Sequence, residues 1–235
     1  YVFVALVAAD MMTTMRAMRE KSVRDGEELV RSIYPPPVAD RVIGSLGLGD
    51  DNVKCYGHVF HQDVCVLTVR IDGGPENASH KLIALGKVYD RLQELAEAYR
   101  ATTIHVSSSA VWFTFGAMEA YGDEDDAKEI SARAVAFAGA ACDIHVCALT
   151  CKVSMARGDV VSGMMSKSTR ALTVAGPAVS RAEKMLFGLP DCSAALDDSL
   201  YLGLIREDIP EGFEMERGDT HWTLSRVPVD VVVEG

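Results

Sequence analysis

Apolar positions along the chain change their spacing several times, and each spacing predicts an element. Met11, Met15, Met18, Leu29 and Ile33 fall at helical intervals around a polar middle, the mark of a weak stalk or coiled-coil helix. It ends at Pro35-Pro36-Pro37, since proline lacks the N–H a helix needs and restrains the residue before it. A helical turn is expected from Val38 to Leu46, then a loop from Gly47 to Asn52. The β-branched run Val64 to Ile71 reads as a buried strand, stopped by Gly73-Gly74-Pro75. From His80 to Arg100, the stripe Leu82, Leu85, Tyr89, Leu92, Ala96 and Tyr99 predicts an amphipathic helix. Ile104 and Val106, then Val111, Phe113 and Phe115, flank Ser107-Ser108-Ser109 as the arms of a β-hairpin.

A second helix is expected from about Asp125 to Cys142, with Ile130, Ala134, Phe137 and Ala141 inward. Cys147, Leu149, Cys151, Val153 and Met155 alternate as in a half-buried strand. Arg157-Gly158-Asp159 would turn that strand into Val160-Val161, and the same triplet recurs at Arg217-Gly218-Asp219. A third helix runs from Pro177 to Leu186 with proline in its first turn. Cys192 to Ala195, a helix from Leu196 to Leu204 and two late strands ending at Val233 complete the chain. The order predicts an α/β (α+β) fold with a ferredoxin-like β-α-β-β-α-β core, its helices on one sheet face. Two parts are expected: residues 1–33 as an N-terminal helix and residues 34–235 as the folded domain.

Composition narrows the function. The net charge of −11 and pI near 5.0 argue against a nucleic-acid partner, because phosphate binding needs a basic face. The six cysteines form no C-x-x-C pair, and reduced core thiols are expected. A zinc site from His145, Cys147 and Cys151 lacks a turn to fold the ligands together. The acid cluster Asp123 to Asp126 lacks calcium-loop spacing and instead suits a helix N-terminus. Asn77-Ala78-Ser79 fits the glycosylation pattern, which a cytosolic domain would not use. There is no G-x-S-x-G, P-loop or dinucleotide-binding pattern.

The chain opens on Tyr1 and reads as part of a longer one. Its apolar run, Tyr1 to Ala9, is too short to span a bilayer, which takes roughly 20 residues, and no basic region precedes it. Either it is the end of a transmembrane helix or it packs on a partner. The domain is accordingly expected in the cytoplasm or on the cytoplasmic side of a membrane.

Several segments, in order, resemble the class III adenylyl and guanylyl cyclase catalytic domain. Tyr34 to Val42 is similar to the proline-containing entry that follows the signalling helix, and Val64 to Gly73 to the first strand, with Ile71 and Gly73 kept. Ala110-Val111 through Phe115-Gly116 is similar to the second arm of the metal hairpin. Arg157 to Gly163 and Thr173 to Val179 resemble the hairpin and the strand-to-helix junction around the nucleotide-reading strand. The resemblance covers Leu29 to Val233.

It implies a reaction in which a ribose 3′ oxygen attacks an α-phosphate, with two cations bridging the charge. The family holds those cations with two aspartates. Their positions here carry Arg70 and Ser109. Asp72 shares a strand face with Arg70, and a two-residue slip would restore one ligand at the expense of the match at Ile71 and Gly73. The base-reading positions carry His105 and Thr173; the ribose-orienting asparagine becomes Ser180 and the phosphate-binding arginine Lys184. Lys184 keeps the charge but lacks the planar fork. With both half-sites degraded and no catalytic residue intact, the expectation is a silent domain. It would dimerise with a homologous domain, regulating or scaffolding a membrane-linked protein in cyclic-nucleotide signalling, without a cofactor. Two alternatives stay open. One is half of a composite adenylyl or guanylyl cyclase using Mg²⁺ or Mn²⁺; the other is a nucleotide or anion sensor in which Arg70 replaces a metal's charge.

Overall fold

The computed structural model describes residues 2–33, 39–40, 42–44, 59–107, 109–116, 127–164, 172–202, 204 and 206–227. The proline entry 35–37, the loop 47–52, Cys55, the acid cluster 123–126 and the end of the last predicted strand lie outside them.

Helix α1 (Val2–Ile33) is continuous, so the apolar run and the stalk are one element. Met15, Met18 and Leu29 are exposed along it. Among the described residues, no helix is long and apolar enough to cross a membrane. The helical residues Ala39 and Val42 are buried against Val30, Val59 and Leu172, which ties the end of α1 to the sheet.

The remaining elements are β1 (Val59–Gly73), α2 (Ala78–Ala98), β2 (Thr102–Val106), β3 (Ala110–Phe115), α3 (Ala127–Cys142), β4 (Leu149–Met164), β5 (Leu172–Ala175), α4 (Pro177–Met185), β6 (Ser193–Leu196), α5 (Asp198–Tyr201), β7 (Phe213–Arg217) and β8 (Trp222–Arg226). They build one eight-stranded sheet in the order β2-β3-β1-β4-β6-β8-β7, with β5 paired to β4. Within it, β1-α2-β2-β3-α3-β4 forms the predicted ferredoxin-like core, with strands ordered β2-β3-β1-β4.

Alternation sorts the strand residues between two faces. Cys65, Leu67, Val69 and Ile71 of β1 join Cys151, Val153 and Met155 of β4 under α2 and α3. There Phe137 packs against Phe113, Phe115 and Tyr99, with ring centroids 4.9, 5.7 and 6.2 Å away. The even-numbered residues Val64, Val66, Ala156 and Val160 face the other way, against Ala178, Ala182 and Met185 of α4. The expectation that the helices of the core share one face therefore holds for α2 and α3, while α4, an addition to that core, lies on the other.

Other expectations are corrected. Arg157-Gly158-Asp159 makes no turn: β4 runs straight through it, paired to β1 on both sides. The irregularity sits in β1, between His61 and Val64, where Asp63 takes φ 58°. Arg157 pairs with Asp63, and the Asp63 N–H donates to Asp159 at 3.1 Å, so the charged triplet staples the bulge. Arg217-Gly218-Asp219 does turn, between β7 and β8, with Gly218 N–H bonded to the His221 carbonyl at 2.9 Å. Cys147 precedes β4 at φ 48° and is not part of it. Leu82 is 71% exposed; Ala84, Val88, Leu92 and Ala96 make the buried stripe of α2. Asn77 caps that helix, accepting from the N–H groups of Ser79 and His80 at 3.0 and 3.1 Å.

Candidate functional site

Two groups of sequence-selected residues meet on the sheet face that carries α4. The first lies where β1 passes the β2–β3 hairpin. Arg70 is the register partner of Ala110, and the Ile71 N–H donates to the Ser109 carbonyl at 2.8 Å, so Arg70 and Ser109 come together. The hairpin is held locally: Ser107 Oγ accepts from the Ala110 N–H at 3.0 Å, and Tyr89 Oη donates to the Ser107 carbonyl at 2.5 Å. Gly73 closes the strand at φ 81°, where a Cβ would stand 2.5 Å from the Ala148 carbonyl oxygen. Its place in the pattern thus has a steric cause.

Arg70 Nε donates to Asp72 Oδ1 at 2.9 Å. Across the ladder from Arg70 stands Lys152, whose Nζ lies 3.4 Å from Asp72 Oδ2 and 2.9 Å from Asp191 Oδ1. The hydrogen bond to Asp191, joined by the one to Asp72, pushes the Lys152 ammonium above its usual range against a smaller opposing effect of burial. Arg70–Asp72–Lys152–Asp191 is therefore a chain of alternating charge. Magnesium and manganese want several free oxygen ligands. Here the nearby carboxylate is shared by two cations, and the hairpin offers a serine, so these residues do not fit a two-cation site. Lys152 escaped the sequence reading because its partner strand cannot be known from alternation alone.

The second group lines a cleft of 250 Å³ between the β2–β3 hairpin and β5 with α4. His105 and Thr173 both border it, joined by Trp112, Val66, Val179 and Glu183. The rings of His105 and Trp112 lie 4.8 Å apart at 46°. Ser180 and Lys184 do not enter this cleft. They sit one position further round α4 from Val179 and Glu183, exposed to solvent. The helix's other cation, Arg181, is already engaged: Nε donates to Asp197 Oδ2 at 3.1 Å and Nη2 to the Arg157 carbonyl at 2.5 Å.

Solved structures of nucleotide cyclase domains share this arrangement. The catalytic core of a rhodopsin-guanylyl cyclase with converted specificity, in complex with ATPαS, superposes with a TM-score of 0.58 over 72% of this chain and 98% of its own, at 13% identity. The adenylyl cyclase CyaB from P. aeruginosa gives 0.56 over 73% and 96%, at 15% identity. The non-canonical dimeric guanylyl cyclase domain of the RhoGC fusion protein from the aquatic fungus Blastocladiella emersonii gives 0.56 over 72% and 98%, at 16% identity. The chain has the fold of a nucleotide cyclase catalytic domain. No family model and no curated protein matches the sequence. Within this cyclase fold, His145, Cys147 and Cys151 do not gather into a metal-holding group among the described residues. The His145 ring nitrogen instead faces the Cys192 sulfur at 3.9 Å.

Proposed function

We propose that this chain is a catalytically silent cyclase-like domain that pairs with a homologous domain and regulates or scaffolds it. The observation that carries the reading is the pairing of Asp72 with Arg70 and Lys152 at the place where the resemblance puts the first metal aspartate. Against a two-residue slip that would recover a ligand stands the pairing of Asp72 with two cations. Ser109, Ser180 and Lys184, standing where the resemblance implies an aspartate, an asparagine and an arginine, support the same reading for the second metal ligand and the ribose and phosphate contacts. Pairing is supported by the exposed Met15, Met18 and Leu29 along α1, which suit a stalk of residues 1–33 leading into a domain of residues 34–235.

The test is product formation. The purified chain, alone and mixed with a homologous cyclase domain bearing both aspartates, is incubated with manganese ATP and manganese GTP. Co-elution of the two proteins, with cyclic nucleotide formed at an altered rate for a regulatory mate or at the partner's own rate for a scaffold, is the expected result. Cyclic nucleotide from this chain alone removes the proposal.

A further inference from the structure

We propose that Cys192 and Cys151 form a dithiol site that reduces a small organic disulfide and is itself joined, with His145 taking the first proton. Strand register sets the pair. β4 and β6 run parallel with Val153 opposite Ala194, and two residues earlier in each chain segment stand Cys151 and Cys192. The segments stay together past the end of that ladder, where Lys152 Nζ lies 2.9 Å from Asp191 Oδ1. Neighbouring strands run about 4.8 Å apart, inside the Cα separation of about 4.4–6.8 Å that a disulfide spans.

Two observations put both sulfur atoms on one side of the sheet. Cys151, Val153 and Ala194 share the core under α2 and α3, and a two-residue step along a strand returns to the same face. The Cys192 sulfur meets His145 Nε2 at 3.9 Å, and His145 sits between Ile144 and Val146, which pack on that core. Both thiols are free, Cys151 buried and Cys192 half-buried. Cys192 also borders a surface cavity of 480 Å³ with Asp191, Ser193, Arg217 and Arg226, so a small disulfide reaches it first.

The chemistry follows from that access. Cys192 gives its proton to His145 Nε2, and the thiolate attacks one sulfur of the small disulfide, breaking the S–S bond and releasing one thiolate. Cys151 then loses its proton, attacks the Cys192 sulfur and releases the second thiolate. Two electrons pass from the cysteine pair to the small disulfide, and the two protons end on its two thiols. Burial, with Asp191 and Asp143, holds the Cys192 thiol above its usual range against the opposing pull of Lys152. The first step therefore leans on the neighbouring histidine and not on a standing thiolate. Burial pushes Cys151 up to about 12, so it answers to a sulfur held beside it and not to a reagent in solution.

This inference rests on the thiols and not on the metal positions, so a preparation that made cyclic nucleotide would leave it standing. The whole chain carrying Cys55→Ser and Cys147→Ser is incubated with oxidised glutathione, and its peptides are mapped by mass spectrometry without reduction. A Cys151–Cys192 link should form with no glutathione retained, and dithiothreitol should reverse it. Cys151→Ala should leave glutathione trapped on Cys192, while Cys192→Ala should neither link nor take glutathione up at Cys151. His145→Ala, with an unchanged circular dichroism spectrum, should slow loss of the Cys192 thiol about tenfold or more. A parent chain whose Cys192 stays a free thiol, or keeps glutathione without forming the link, overturns the proposal. So does a link from Cys192 to Cys142, or a His145→Ala variant that reacts at the parent's rate.

Discussion

Asp72 meets the guanidinium of Arg70 and the ammonium of Lys152 on one sheet face. Arg70 is nearly half exposed, so its pair adds at most about 1 kcal/mol to stability. Its effect on a metal is larger. A dication about 5 Å from one unit charge is repelled by about 2 kcal/mol in water and about 7 kcal/mol at an effective dielectric of about 20. With Asp191 the chain is neutral, and no carboxylate charge is left over to attract a cation. The buried thiols show the same control of charge by surroundings. Burial pushes the Cys65 and Cys142 thiols far above their usual range, and Cys151 up to about 12. All three should resist maleimide at neutral pH while exposed Cys147 labels first, which peptide mass spectrometry of partly labelled native protein would read. Each buried thiol stays neutral in the fold at pH values where an unfolded thiol, with a pKa of about 8.5, has ionised. Stability is therefore intact below about pH 8.5 and falls as the pH climbs, by about 2 kcal/mol per thiol at pH 10. Cys65→Ala should flatten that decline in denaturant titrations run from pH 7 to 10.

At the scale of elements, Asp197 joins three of them. It is 7% exposed, caps α5 by accepting from the Leu200 N–H at 2.9 Å, and also accepts from the Arg157 N–H of β4 and from Arg181 of α4. Asp197→Ala removes the cap and leaves buried donors unmet, and should cost about 2–4 kcal/mol in urea unfolding. Asp197→Asn, which keeps the cap, should cost less. Leu82→Gln should change stability by no more than about 0.5 kcal/mol, since Leu82 is in solvent. Its apparent place in the α2 stripe came from reading spacing without knowing which turn meets the sheet. The buried line Ala84, Val88, Leu92 and Ala96 runs at steps of four; it shares Leu92 and Ala96 with the expected stripe, and the alanine at 84 carries little hydrophobic signal. The misread triplet at Arg157 has a similar cause. Gly-Asp favours turns locally, but Asp63 and β1 hold it extended, and Asp63 lies 94 residues away from Arg157 in sequence. Local elements were legible because their signals are local; this one was decided by a distant partner.

For the whole molecule, the order of strands and helices carried enough information to predict the core, since β-α-β-β-α-β permits few arrangements. The placement of α4 on the opposite face was not written in periodicity, and it is what creates the cleft. Of the candidate site, the sequence identified Arg70 and Ser109, and His105 and Thr173, as pairs that the fold brings near one another. Lys152, Trp112 and Glu183 became visible only when register and helix placement were known. The account turns on the environment of Asp72, and manganese binding followed by electron paramagnetic resonance tests it most directly. The free-ion signal of manganese should stay undiminished at millimolar concentration with the native chain, and should fall with the triple variant Arg70→Asp, Ser109→Asp, Lys152→Met. Loss of the free-ion signal with the native chain at micromolar manganese, abolished by Asp72→Asn, would contradict it.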